Sequence, residues 1–438
     1  MPVPRLFGCC GDRDSGELAV TRERPLKRWA AGLVLMASLA SVLVATPAHA
    51  DAVRDQEYWL QEYGIEAAWK TTKGAGVTIA VIDTGVDGTV KELVGAVTGG
   101  TDFSGKGSPN GQTPVGDENP AHGTLVASLA AGRGTGAGAG VIGAAPEANI
   151  LAISIGFTGG PISSDDQIAQ AVRYAVDQGA DVINLSLTRE TLDWPLSWDS
   201  AFLYAMDNDA VVVAAAGNRG SGTTSVGAPA TMPGVLTVAG VDVNGVASFN
   251  ASTQGITIGV SAPSEDLVGV APGGSHVLWN GTSGATPIVA GIVALVRAAH
   301  PELDADNVIN RIVSTAHDTG APGTDAIYGF GLIDAEAAVN DQVPLVSANP
   351  MGSLAEWITI YRRAASTPTP VPSFSPPPVP EAVPDVAGPV SPLGTLLPTV
   401  SMLRNVGVPL AVYGIFLVIL AGWGVLAWRR FRSLRETE

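Results

Sequence analysis

Three short motifs place an aspartate, a histidine and a serine where they could act in one reaction. Asp83 lies in the motif AVIDTGVD, His122 in HGT and Ser283 in NGTSGATP. A serine hydroxyl is a weak nucleophile at neutral pH, so a base must accept its proton, and a carboxylate must hold that base in one tautomer. The three residue types therefore predict nucleophilic catalysis, with Ser283 as the nucleophile, His122 as the base and Asp83 orienting His122.

A fourth motif supplies a group that could stabilise negative charge. Residues 211–218 read VVVAAAGN, an apolar run that ends in Gly217 and Asn218. An amide donor can hydrogen-bond an oxygen that becomes negative in the transition state. We expect Asn218 and the backbone N–H of Ser283 to form an oxyanion hole; the other interpretation of Asn218 is a turn residue in Gly-Asn-Arg-Gly.

The elements that must position these residues follow from apolar runs that alternate with helical segments. Continuous apolar strands alternating with helices indicate an α/β fold with a mostly parallel sheet and helices on both faces. Sites in such sheets lie at the carboxyl ends of the strands, where both Asp83 and Asn218 are expected. The predicted strands are 77–82, 149–155, 181–187, 210–216 and 235–241, and the predicted helices are 123–131, 166–178, 196–208, 284–299 and 304–316.

The segment around Ser283 predicts a tight turn followed by a helix. Gly281 permits the turn, and the amino end of the next helix favours developing negative charge. Ser283 is expected just before that helix, where it could also act as its N-cap. Pro287 is expected in the first turn, where a missing N–H costs no hydrogen bond.

The four motifs, in the order Asp, His, Asn, Ser, resemble those of the subtilisin-like serine proteases, or subtilases. The resemblance covers roughly residues 64–340. It implies a subtilisin-like fold with a single catalytic domain, and a serine endopeptidase that hydrolyses peptide bonds through a Ser-His-Asp triad and an acyl-enzyme.

The same resemblance implies where a peptide substrate binds. The peptide would lie as an added strand against Ser186, Leu187 and Thr188 and against residues 155–157. The first specificity pocket would be lined by Ala215, Ala216 and Gly217. Many subtilases have glycine where this chain has Thr188, and we expect the branched side chain to narrow the cleft.

The amino end of the chain carries a segment typical of protein export. Basic residues at 22–28 precede the apolar run 29–45, and Ala48-His49-Ala50 has the form of a signal-peptidase site. We expect cleavage after Ala50. An uncleaved anchor helix is the alternative, which the short run ending at Thr46-Pro47 disfavours.

The carboxyl end carries a second membrane signal. Residues 364–398 contain eleven prolines, as in an extended spacer, and the 23 residues Val406–Trp428 lack charge and could span a bilayer. Four arginines at 429–435 predict a cytoplasmic tail, with the catalytic domain outside a single-pass cell-membrane anchor. The predicted organisation is a signal peptide at 1–50, a short extension at 51–65, a catalytic domain at 66–345, a juxtadomain segment and linker at 346–400, a transmembrane helix at 401–428 and a basic tail at 429–438.

The short extension, the proline-rich spacer and the anchor together resemble the mycosins, membrane-anchored subtilases of actinobacterial type VII secretion systems. The resemblance allows two functions: an endopeptidase acting on exported proteins, or a structural subunit that stabilises a membrane secretion complex while proteolysis is dispensable. It implies three partners, namely protein or peptide substrates, the membrane, and a type VII secretion complex. A free scavenging protease is disfavoured by the anchor.

Composition narrows the remaining possibilities. The formal net charge of −17 over 438 residues predicts repulsion of nucleic acid. Cys9 and Cys10, the only cysteines, precede the expected cleavage site, so no disulfide is expected in the mature chain. The histidines outside HGT lack metal-ligand spacing, and we expect neither a metal site nor a cofactor.

Overall fold

A computed structural model describes residues 51–157 and 162–362. The predictions for the signal peptide, the proline-rich linker, the transmembrane helix and the basic tail lie outside the described residues. The last helix of the described residues ends at Tyr361, and its first residue, Leu354, is buried.

The centre of the fold is a seven-stranded sheet in the order β2-β3-β1-β4-β5-β6-β7. Every pair of neighbouring strands in this sheet is parallel. An antiparallel hairpin of β8 and β9 lies beside it as a separate two-stranded sheet. The strands are β1 Thr78–Asp83, β2 Val97–Asp102, β3 Asn149–Ser154, β4 Val182–Leu185, β5 Val211–Ala215, β6 Leu236–Val241, β7 Ile258–Pro263, β8 Leu267–Val270 and β9 His276–Trp279.

Successive strand residues enter two different cores because side chains alternate across a sheet. Ile79 and Val81 of β1 belong to one buried cluster, whereas Ala80 and Ile82 belong to the other. Both faces are therefore covered, which explains why the strand is apolar at consecutive positions. The predicted α/β fold with a mostly parallel sheet is confirmed.

The helices divide between these two faces. Those of the first cluster are α1, α2, α3, α6, α7 and α8, and those of the second are α4, α5 and α9. Their bounds are α1 Trp59–Glu62, α2 Ile65–Ala68, α3 His122–Ala131, α4 Ser164–Asp177, α5 Leu196–Asp207, α6 Thr282–Ala299, α7 Ala305–Ser314, α8 Ala335–Asn340 and α9 Leu354–Tyr361.

Helix α6 is the most deeply buried long element. Within the described residues it is the one helix long and apolar enough to cross a membrane, yet 83% of its apolar window is buried inside the domain. It packs against α3 and against strands β4 to β7. Its apolar character therefore belongs to the core of the domain.

Candidate active site

Asp83 and His122 lie in direct contact at the carboxyl edge of the sheet. Asp83 is the last residue of β1 and is fully buried, and His122 is the first residue of α3. The Nδ1 atom of His122 lies 2.8 Å from Oδ1 and 2.9 Å from Oδ2 of Asp83. An imidazole that donates its Nδ1–H to the carboxylate carries a lone pair on Nε2, as a base requires.

The hydrogen bonds of Thr84 and a close backbone approach at Gly123 hold α3 against the end of β1. Thr84 Oγ1 accepts the backbone N–H of Gly123 at 2.9 Å and donates to the carbonyl of Pro120 at 3.2 Å. A β-carbon on Gly123 would lie only 2.3 Å from the carbonyl oxygen of Gly85. Glycine after His122 therefore lets the helix approach closely enough for the Asp83 contact.

Opposing influences set the pKa of His122. Burial of the ring lowers the pKa, whereas the charge of Asp83 and the hydrogen bond to it raise the pKa. The two contributions from Asp83 outweigh burial, so the pKa of His122 lies above its ordinary value. The Trp279 ring packs edge-on against the imidazole with its centroid 5.7 Å away.

Ser283 lies inside the first turn of α6, so the expectation that it precedes the helix is wrong. The N-cap is Gly281, with φ 143°, and no side chain caps the helix. A glycine is required there because few other residues adopt such a φ. The expected N-cap role of Ser283 is therefore also wrong, and its side chain is available for other contacts.

The expected position of Pro287 is wrong as well, and the difference has a structural consequence. Pro287 lies inside α6, where it cannot donate the helical hydrogen bond to the carbonyl of Ser283, four residues earlier. That carbonyl instead accepts the hydroxyl of Ser186 at 2.9 Å, and Asn184 Nδ2 donates to the same hydroxyl at 3.0 Å. A polar chain from β4 thus holds the backbone of Ser283.

The Ser283 hydroxyl donates to the carbonyl of Ser186 at 3.2 Å. Within the described ranges no hydrogen bond joins Ser283 to His122. Catalytic hydrogen bonds are often long or absent without substrate and form in the reacting complex. The hydroxyl would have to rotate away from Ser186 before a base could accept its proton.

Asn218 is fixed by Thr282, the neighbour of Ser283. Its Oδ1 accepts the backbone N–H of Thr282 at 2.8 Å and the Thr282 hydroxyl at 2.9 Å. A backbone N–H can only donate, so the atom that faces it must be the amide oxygen. Nδ2 lies over Gly281, where a β-carbon would come within 2.9 Å of it. The donor end of the amide thus lies beside the turn that carries Ser283.

A cleft of about 400 Å³ adjoins His122. The predicted substrate-binding residues Ser186, Leu187 and Thr188 line it. Ala215, Ala216 and Gly217 are buried and do not line it. The remaining lining residues are Thr84, Lys106, Val115, Gly116, Asp117, Glu118, Asn119, Ile155, Gly156 and Phe157.

Several residues of the site have no motif of their own in the sequence. Thr282 lies within the Ser283 motif and Trp279 directly precedes it, and this adjacency is the one available signal. Lys106, Asp117 and Glu118 come from a polar loop without regular structure and reach the cleft only through the fold. In the described part of the chain, no group of three or more His, Cys, Asp and Glu side chains could hold a metal ion.

A family model and similar known proteins point to the same family. Residues 74–331 match the subtilase family, Peptidase_S8. The chain is 33% identical over 369 residues to Mycosin-3 of Mycobacterium tuberculosis (strain ATCC 25618 / H37Rv), which aligns 72% of this chain with 76% of that protein. It is 40% identical over 276 residues to the thermophilic serine proteinase of Bacillus sp. (strain AK1), over 62% of this chain. The match spans 65% of that protein and 44% of fervidolysin from Fervidobacterium pennivorans, less than two thirds of either.

Solved structures show the same relationship. The structure of MycP1 with its N-terminal propeptide removed superposes with a TM-score of 0.56 at 32% identity, over 66% of this chain and 98% of that one. The structure of the MycP3 protease from the type VII (ESX-3) secretion system also has a TM-score of 0.56 at 32% identity, over 68% of this chain and 90% of that one.

Proposed function

The chain belongs to the subtilase family and is related to the mycosins, and on that premise we propose that it is a membrane-anchored serine endopeptidase with its catalytic domain outside the cell membrane. The observation that carries the proposal is the contact between the buried Asp83 and His122, which lies at the same edge of the sheet as Ser283 and Asn218. These four residues can supply a nucleophile, a base, a carboxylate and an oxyanion donor.

The first step requires a neutral His122. Asp83 accepts the Nδ1–H and leaves Nε2 free to take the proton of Ser283. The oxygen of Ser283 then attacks the carbonyl carbon of the scissile peptide bond, forming a tetrahedral intermediate. The imidazolium produced in this step is stabilised by the Asp83 carboxylate, which is itself held by the backbone N–H of Thr84 at 2.7 Å.

The second requirement is stabilisation of the negative oxygen of this intermediate. The donors are Asn218 Nδ2 and the backbone N–H of Ser283, which lies in the first turn of α6. Because Thr282 already holds Asn218 Oδ1, the amide need not reorganise during the reaction. The amino end of the helix adds a favourable partial positive charge.

The remaining steps return the site to its starting state. His122 gives its proton to the leaving amine, and the C–N bond breaks to leave an acyl-enzyme on Ser283. A water molecule, deprotonated by His122, then attacks the ester and releases the carboxylic acid. No group outside the four residues and water is needed to balance the reaction.

The proposal also covers where the chain lies in the cell and which partners it has. The uncharged segment Val406–Trp428 and the arginines at 429–435 support a single-pass anchor with its tail in the cytoplasm. The similarity to MycP3, a protease from a type VII secretion system, supports association of this chain with such a system. Exported or surface proteins are then its substrates.

Covalent labelling tests the proposed chemistry. The full-length chain in detergent should react with a fluorophosphonate, and peptide mapping should place the label on Ser283. Ser283→Ala should abolish labelling and peptide cleavage, whereas Ser314→Ala, an exposed serine at the end of α7, should retain both. Labelling elsewhere, or cleavage by Ser283→Ala, would refute the assignment.

Asn218→Ala provides a second test at the same site. Loss of one oxyanion donor should lower kcat by about 10²- to 10³-fold, a magnitude known from subtilisin itself. Fluorophosphonate labelling should persist in this variant because the nucleophile and base remain. A kcat equal to that of the wild type would exclude Asn218 from the oxyanion hole.

A further inference from the structure

The side chain next to the scissile bond must enter a slot between two neighbouring strand ends. Strands β4 and β5 pair up to Leu185 and Ala214. Beyond these residues, the segment 186–188 contacts Ser283 and the segment 215–218 ends in Asn218. A peptide carbonyl bonded to both oxyanion donors carries its own side chain into the space between these two segments.

Thr188 occupies this slot from one side. A β-carbon on Gly217, on the opposite wall, would lie 3.4 Å from Cγ2 of Thr188 and 2.6 Å from Cγ2 of Thr223. The first distance is ordinary van der Waals contact, so the gap between the Thr188 methyl group and the Gly217 backbone is only about one carbon wide. Residue 217 therefore has no space in front of it for a large substrate side chain.

The inner end of the slot is also closed. A β-carbon on Gly227 would lie 2.9 Å from the Thr188 hydroxyl oxygen and 1.8 Å from the carbonyl oxygen of Arg189. Two backbone hydrogen bonds hold this packing: the N–H of Arg189 donates to the carbonyl of Ala228 at 2.8 Å, and the N–H of Ala228 donates to the carbonyl of Thr191 at 2.9 Å. The backbone of residues 189–191 thus lies directly against residues 227–228.

The open cleft of about 400 Å³ also borders Thr188. It runs along Phe157 and Leu187 and beside His122, and none of Ala215, Ala216 or Gly217 borders it. Space for large side chains is therefore available to residues earlier in the peptide, while the slot beside Ser283 is filled.

We propose that Thr188, together with the carbonyl of Arg189, restricts the residue on the acyl side of the scissile bond to glycine, alanine or serine. The inference rests on the proposed endopeptidase function and names the substrate class of that site. Thr188 is the specificity-determining residue because its methyl group lies 3.4 Å from the β-carbon position of Gly217 and its hydroxyl oxygen lies 2.9 Å from that of Gly227.

Covalent inactivation by a pair of peptidyl diphenyl phosphonates measures this selectivity without requiring turnover. The two probes share one peptide and differ only at the reacting residue, which carries an alanine or a phenylalanine side chain. The wild-type full-length chain should react at least about 100-fold faster with the alanine probe, since a site that lacks room excludes a large group strongly. In Thr188→Gly this ratio should fall by at least about tenfold.

Two matched variants separate side-chain volume from other effects. Thr188→Val keeps the branched shape and loses the hydroxyl, so it should keep the wild-type ratio. Thr188→Ser removes only the methyl group that faces Gly217, so its ratio should lie between those of the wild type and Thr188→Gly. If Thr188→Gly fails to fold, the Ser variant must still lower the ratio for the proposal to stand.

The outcomes distinguish the specificity proposal from the proposed endopeptidase function. Equal reaction of the wild type with both probes, or an unchanged ratio in Thr188→Gly and Thr188→Ser, would overturn the specificity proposal alone. Absence of any labelling of Ser283, even by a small fluorophosphonate, would overturn the proposed endopeptidase function and this inference with it.

Discussion

His122 depends on Asp83 for both its orientation and its charge. Both carboxylate oxygens lie within 2.9 Å of Nδ1, and the edge contact with Trp279 covers the ring on another side. Burial alone would lower the pKa of the imidazole, so loss of Asp83 would favour the neutral ring and leave it free to adopt either tautomer. The carboxylate fixes the tautomer and at the same time makes the imidazolium of the proposed reaction easier to form.

A pH profile checks this balance. The folded-state pKa of His122 is raised above its ordinary value of about 6.5, so the ring becomes protonated at a higher pH than a free histidine. A protonated His122 cannot accept the Ser283 proton. We therefore expect kcat/KM to fall with decreasing pH through a midpoint above about 6.5.

Asp83→Asn is the control for that profile. Loss of the charge should lower kcat by about 10⁴-fold and shift the midpoint of the residual activity to lower pH, because the contribution that raised the pKa is gone. A wild-type profile that stays flat down to about pH 4 would mean that His122 is not the base.

At the scale of single residues, motif chemistry predicts the reacting atoms but not their supports. The types of Asp83, His122 and Ser283 suggest their roles directly. The two contacts from Thr282 that orient Asn218 depend on where α6 begins, 64 positions further along the chain, and no local pattern encodes them. The same applies to Trp279, whose packing on His122 joins β9 to α3.

At the scale of elements, the sequence predicts strands well where both faces are buried. Strands β1, β3, β4, β5 and β6 coincide with apolar runs, and their ends differ by at most two residues from those expected. Strand β2 reads VTGGTD and is partly exposed along its length at the edge of the sheet. Its pairing with β3, and not its composition, makes it a strand.

The errors around Ser283 have one physical cause. The helix was expected to start where the continuous apolar run starts, and the helical geometry begins earlier, at Thr282. Polar residues can occupy the first turn when their hydrogen-bonding groups find partners on other elements. The N–H and hydroxyl of Thr282, for example, both donate to Asn218 Oδ1. Pro287 is tolerated inside the helix because Ser186 supplies the hydrogen bond that a residue-287 N–H would otherwise make.

A double-mutant cycle tests whether Ser186 compensates for Pro287. Ser186→Ala should destabilise the chain by about 1–3 kcal/mol, because it leaves the Ser283 carbonyl and the Asn184 amide without a partner. In the Pro287→Ala background, the new N–H can donate to the Ser283 carbonyl, so the same change should cost less. The loss at Asn184 is common to both backgrounds and cancels in the cycle.

The readout is the free energy of unfolding of the four proteins. Ser200→Ala, at an exposed site on α5, serves as the control and should cost the same in both backgrounds. An equal cost of Ser186→Ala with and without Pro287 would show that the two residues act independently.

At the scale of the whole molecule, the short N-terminal segment is part of the domain. Trp59 is fully buried in the same core as α6. Arg54 donates to the carbonyl of Gly140 at 2.9 Å and pairs with Glu57 at 2.7 Å. Glu57 in turn accepts the backbone N–H of Ile142 at 3.0 Å, so the segment is fastened to the loop that follows α3. Its composition predicts an extension of the domain but not this attachment.

The buried Glu57 should make stability depend on pH. Burial raises its pKa to about 8 from an ordinary 4.5, against the lowering influence of Arg54 and of the Ile142 hydrogen bond. Below pH 4.5 the carboxyl is protonated in both states, and its contribution to stability is fully present. Between pH 4.5 and about 8 the unfolded chain ionises first, so stability is lost as pH rises through this window.

Thermal unfolding of the full-length chain in detergent across this window measures the effect. Glu57→Gln should remove the decline because glutamine does not titrate. Glu66→Gln, at an exposed position on α2, should keep the wild-type slope. A slope that is the same in the wild type and in Glu57→Gln would assign the pH dependence to other groups.

The family relationship leaves two functions for the assembled protein, and genetics separates them. A membrane anchor and a spacer are unnecessary for a freely acting protease but would keep a domain beside a membrane complex. If the domain also supports that complex, cells with Ser283→Ala should retain more type VII secretion than cells lacking the gene, because the fold and the proposed anchor remain. Loss of the protein should also make the membrane complex dissociate in mild detergent, whereas Ser283→Ala should leave it intact. Ser314→Ala, at an exposed serine outside the site, is the matched control for expression. Equal failure of secretion in Ser283→Ala and in the deletion would exclude the structural role and leave proteolysis as the function on which secretion depends.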